Sequence, residues 1–89
     1  MVNKEFIRDF QKEIILGNFC DADRVIKMYE LGYMKDIDLL TIKKAISWTI
    51  MEQPMVSINL SLGDEYGKLL KYVINDDKLN KLDEELEVI

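Results

Sequence analysis

Apolar residues recur along this chain at helical intervals, and short polar or glycine-bearing stretches divide it into successive segments. In the first, Asn3 is placed to cap a helix whose Phe6, Ile7, Phe10, Ile14 and Ile15 share one stripe. Gly17, directly after Leu16, predicts its stop. Asn18 is the expected cap of a second helix, with Asp21 three residues on to complement the dipole and Phe19, Ala22, Val25, Ile26 and Tyr29 facing inward until Gly32. So short a link between two helices predicts an N-terminal antiparallel αα-hairpin.

A third helix is expected from Asp36 or Asp38, carrying Leu39, Ile42, Ala45, Ile46 and Ile50, with Pro54 as its stop. The pattern then changes. Val56, Ile58, Leu60 and Leu62 alternate with Ser57, Asn59 and Ser61, the period of a half-buried strand, so residues 55–62 predict one short strand-like segment. Gly63-Asp64 reads as a turn and cap into a fourth helix with Tyr66, Leu69, Leu70, Val73 and Ile74 on one face. Gly67 lies inside that helix, where the close approach of another backbone is the expected reason for it. After Asn75-Asp76-Asp77, a last amphipathic helix carries Leu79, Leu82, Leu86 and Ile89. The fold class expected is mainly α: one domain over residues 1–89, a compact bundle of four or five short helices.

Leu16-Gly17-Asn18-Phe19-x-x-Ala22 resembles the turn between the two helices of a tetratricopeptide repeat, where glycine, a polar residue, an aromatic and an alanine fall at this spacing. The likeness covers under a third of the chain, and nothing recurs at a 34-residue period downstream. What it implies is the packing of one αα-hairpin.

Composition narrows the function classes. The chain has 89 residues, 48% of them apolar and 33% charged, as in an ordinary globular protein. Residues 1–50 carry 8 basic and 8 acidic side chains and residues 51–89 carry 4 and 9, so the whole net charge of -5 comes from the second half. Such a field repels phosphate backbones and favours basic partners. With no bilayer-length apolar run, no signal-peptide layout and a lone Cys20, a cytoplasmic location is expected. Ten lysines against two arginines, with abundant isoleucine, suggest a bacterial or phage source.

The sequence has no histidine, which removes the usual general base and the commonest metal ligand, and it has no glycine-rich phosphate loop. No enzyme and no cofactor are expected. A helix dipole beside Cys20 would lower its thiol pKa, but a small packing residue is the simpler account. The pairs Asp21/Asp23, Asp36/Asp38 and Asp76/Asp77 fail as calcium loops. A loop from Asp36 has Thr41 where glycine is required and Ser47 where glutamate is, and one from Asp21 has Ile26 and Gly32. All three pairs lie where helices begin, so capping is their expected role.

The leading expectation is a non-enzymatic protein-binding module: an inhibitor, an immunity or antitoxin-like protein, or an assembly factor. Its candidate contact residues are Tyr33, Trp48, Met55, Ile58, Leu60, Glu84, Glu85 and Glu87, from the enrichment of Trp, Tyr and Met in interfaces and the charge of the last helix. A homodimer pairing residues 55–62 with their own copy is a further expectation. The alternative is a DNA-binding protein of winged helix-turn-helix type that presents Thr41, Lys43, Lys44 and Ser47 outward from the third helix. Negative charge and a long second turn oppose it. Between the two stands an acidic mimic of nucleic acid that blocks a DNA-binding partner.

Overall fold

A computed structural model describes residues 3–55 and 61–86. Among the described residues five helices are bounded: α1 (Lys4–Ile15), α2 (Ala22–Glu30), α3 (Asp36–Glu52), α4 (Leu62–Ile74) and α5 (Asp77–Glu85). Three begin on side-chain caps. Asn3 Oδ1 accepts from the Glu5 N–H at 2.7 Å, Asp21 Oδ1 from Arg24 at 3.2 Å and Asp76 Oδ1 from Leu79 at 3.0 Å. At α3, Asp38 reaches back to the Lys35 N–H at 3.2 Å. The aspartate pairs thus serve helix starts, as their positions predicted.

The cap of α2 is Asp21, not Asn18, because residues 16–18 are needed to end α1. Gly17, at φ 95°, donates to Ile14 and the Asn18 N–H donates to Glu13, closing a Schellman motif. Gly32 at φ 86° ends α2 in the same way, with Tyr33 donating to Met28. Helix α4 starts a residue or two before the expected turn, so Gly63 and Asp64 lie in its first turn behind Ser61.

Helix α3 is the centre of the bundle. Leu39, Leu40, Thr41, Ile42 and Lys43 are consecutive and all buried, as are Ala45, Ile46 and Thr49, so its middle is covered on most sides and only the face of Lys44, Ser47 and Trp48 is partly open to water. Two buried hydroxyls are satisfied within the helix, Thr41 donating to the Ile37 carbonyl and Thr49 to the Ala45 carbonyl. Around it, α1 lies along most of one side, α4, α2 and α5 cover the others, and α4 also packs on α2 and α5. The core joins Ile7 and Ile14 of α1, Ala22 and Val25 of α2, Leu62, Leu69 and Val73 of α4 and Leu79 of α5 to the α3 side chains.

Two expectations change here. Helices α1 and α2 are consecutive and tightly linked, but they do not pack along each other as a hairpin: α1 spends its buried stripe on α3, and α2 on α4 and α3. A 17-residue helix buried on most of its sides offers more apolar surface than a neighbour nine residues long. At Gly67, a Cβ would meet nothing within 4 Å among the described residues, so no backbone approaches it. The strand-like segment falls largely on residues 56–60, outside the described residues; at its ends Met55 and Leu62 are helical, and no strand occurs among the described residues. None of the described helices is long and apolar enough to cross a membrane.

Candidate partner-binding groove

Helix α1 carries two stripes rather than one. Ile7, Gln11 and Ile14, four and three residues apart, face α3 and are buried. The adjoining flank holds Phe6, Asp9, Phe10 and Glu13, again at three- and four-residue spacing. Phe6 and Phe10 meet edge to face, ring centroids 5.1 Å apart at 83°. Phe6 keeps 40% of its surface exposed.

The third phenylalanine arrives from the turn. Once Gly17 has reversed the chain, Phe19 sits at φ 58°, a left-handed conformation that is an outlier for a bulky side chain and costs on the order of 1–3 kcal/mol. Tertiary contacts hold it there. Its ring lies 5.7 Å from that of Phe10, and the next residue, Cys20, donates its Sγ–H to the Ile14 carbonyl at 3.4 Å. On the far side the Ala22 N–H donates to Glu65 Oε2 of α4 at 2.5 Å, which ties the start of α2 to the bundle. Asn18 Nδ2 donates to Glu13 Oε2 at 2.6 Å and fixes that carboxylate at the rim.

The result is a pair of adjoining hollows. One, of about 270 Å³, is lined by Phe6, Asp9, Phe10, Glu13 and Phe19. The other, of about 440 Å³, shares Glu13 and Phe19 and continues past Cys20 and Arg24 to Val25 and Met28. Volumes of a few hundred cubic ångströms are typical of binding sites, and here Glu13, Asn18, Asp21 and Arg24 stand beside the apolar walls of the larger hollow. No protein-family model, no curated protein and no solved structure matches the chain. The groove's own chemistry is therefore the guide to what it does.

Two nucleophilic side chains, Cys20 in the larger hollow and Tyr29 outside it, are held in check. Burial, and then the Glu65 carboxylate, push the Cys20 thiol up, opposite to the direction a reactive thiol needs. Tyr29 donates to Asp36 Oδ1 at 2.7 Å, which together with burial raises its hydroxyl well above the usual tyrosine range. Among the described residues no cluster of three acidic, histidine or cysteine side chains is placed to hold a metal.

The residues singled out from the sequence are scattered. Tyr33, 79% exposed, stands before the start of α3, whereas Met55 stands exposed just past its other end. A helix of 17 residues separates them by about 25 Å. Trp48 is half-buried against the core and covered by the Arg8 guanidinium, 5.0 Å from its ring. Glu84 and Glu85 are exposed at the end of α5, while Ile58, Leu60 and Glu87 lie outside the described residues. Of the four residues proposed to face DNA, Thr41 and Lys43 are buried and Lys44 and Ser47 half-buried, because α3 is central rather than peripheral. The phenylalanines were visible as an inward stripe, and the missed signal was that all three, with two carboxylates in step, fall within the first 19 residues.

Proposed function

We propose that this chain is a non-catalytic protein-binding module, and that its partner docks on the groove formed by α1 and the turn into α2. One observation carries this reading. Phe6, Phe10 and Phe19 form a partly exposed aromatic platform at the edge of the core, and its last member is held there in a strained backbone conformation. Strain retained at a concave surface supports selection for the surface. The suppressed reactivity of Cys20 and Tyr29 supports binding over catalysis. Inhibitors, immunity proteins and assembly factors of bacteria and phages are the kinds of protein in which so small a module would act.

Paired captures test the reading. Wild type and a Phe6→Ala/Phe19→Gly variant, both shown to be folded by circular dichroism, are used as bait in lysate of the source cells. A protein retained by wild type and lost with the variant supports the groove. One retained equally by both, but lost when Glu84 and Glu85 are changed to Gln, places the binding surface on α5 instead.

A further inference from the structure

The two flanks of α1 use the same chemical groups; one holds the Arg8 guanidinium among them, whereas the groove side sets three carboxylates, Asp9, Glu13 and Asp21, against one guanidinium, Arg24. On the α3 side, Arg8 lies over the Trp48 ring at 5.0 Å and donates to Glu52 Oε2 at 2.5 Å and to Gln11 Oε1 at 2.7 Å. An aromatic face, a carboxylate and an amide together hold one guanidinium. The groove side offers the rings of Phe6, Phe10 and Phe19, the carboxylates of Asp9 and Glu13, and the Asn18 amide that orients Glu13. Among the described residues, the ion pairs use Glu52, Asp83, Asp23, Glu65 and Asp36, and none uses Asp9 or Glu13.

We infer that the groove receives a lysine or arginine side chain, with a neighbouring apolar one, from a basic amphipathic helix of a partner protein; this rests on the groove being the partner surface. Charge decides the sign. An acidic segment would meet Asp9, Glu13 and Asp21, with Arg24 the one cation among the lining residues, on a chain of net charge -5, and a purely apolar one would strip water from the Asp9 and Glu13 carboxylates, which no cation pairs among the described residues. A cation over phenylalanine faces beside a carboxylate satisfies both requirements. Shape sets the rest. Phe6 to Glu13 spans two helical turns, about 10 Å, and the larger hollow, walled by Phe19, Val25 and the adaptable Met28, adjoins it at Glu13. A cation and an apolar anchor one turn apart on a helix fit those two hollows.

The test titrates the ¹⁵N-labelled full chain with three capped helical peptides of one leucine pattern, whose polar face is lysine, glutamine or glutamate. The expected result is amide shifts confined to residues 6–28 with the lysine peptide, binding about tenfold weaker with glutamine, and none with glutamate. Asp9→Asn/Glu13→Gln should weaken lysine-peptide binding about tenfold, whereas Glu84→Gln/Glu85→Gln should leave it unchanged. Equal binding of the glutamine or glutamate peptide in the groove would overturn the inferred cation while keeping the groove. No shift in the groove with any peptide would overturn the groove reading itself. Shifts spread over the whole surface, weakened equally by the α5 variant, would reduce the effect to general charge attraction and overturn the inference.

Discussion

Lys43 of the central helix reaches across to α5 and places its Nζ 2.5 Å from Asp83 Oδ2, with the two side chains only 8% and 19% exposed. The second oxygen of Asp83 has no hydrogen-bond partner among the described residues. A buried pair of this kind contributes little by existing and costs much when halved. Asp83→Ala, which strands the ammonium inside, should destabilise the domain by about 3 kcal/mol in urea unfolding. Lys43→Met combined with Asp83→Leu should recover most of that loss. Deleting residues 83–89 should cost at least as much as Asp83→Ala, since it also removes Leu86 from the core's edge.

Gly67 offers the opposite case. Its helical backbone and the space left around its Cβ position by the described residues mean that alanine adds helix propensity without a clash with them. Gly67→Ala should stabilise by about 1 kcal/mol, raising the melting temperature by roughly 4–8 °C. An unchanged or lower melting temperature would show a contact at that position.

At Phe19 stability and binding should separate. Phe19→Gly loses ring contact with Phe10 but relieves a left-handed conformation that glycine adopts freely. The two effects oppose each other, so the folding free energy should move by less than about 1 kcal/mol while groove binding is lost. Phe19→Ala keeps the strain and should be the less stable of the two.

The two stripes of α1 should likewise respond differently. Ile7→Ala or, on α3, Ile46→Ala removes a fully buried side chain and should cost about 2–5 kcal/mol. Phe6→Ala should cost under about 1 kcal/mol, as fits a partly exposed ring outside the core. A loss at Phe6 as large as that at Ile7 would make the groove wall a structural element.

Acid stability should depend on Tyr29. The Tyr29 hydroxyl, and secondarily Lys78 at 3.2 Å, hold the Asp36 carboxyl below its ordinary range against the opposing effect of burial. A carboxylate with a lowered folded pKa contributes stability that is present above about pH 4 and is lost as the pH falls through the lowered value. The stability gap between wild type and Tyr29→Phe should therefore be wide at pH 7 and narrow at pH 2.5 in urea titrations. A gap equal at both pH values would remove the linkage. The raised Tyr29 hydroxyl acts at the other extreme, favouring the folded state until the pH rises above about 10.

Local chemistry read from the sequence determined the helices and most of their ends. Asn3, Asp76 and the glycines at 17 and 32 act through bonds that span only a few residues, so their meaning is legible without the fold. What each helix faces was decided only by tertiary packing. Periodicity marks an apolar stripe but not its partner, so α1 and α2 look like a hairpin until α3 claims the stripe of α1. Helix α3 itself shows why charge can mislead. Lys43 reads as an outward cation, yet it is buried because α5, forty residues later in the chain, brings Asp83 to it. The groove follows the same division. Its phenylalanines and carboxylates lie in step along the sequence, but only the chain reversal at Gly17 and the bundle's hold on Phe19 and Glu65 turn an apolar stripe into a concave surface open to a partner.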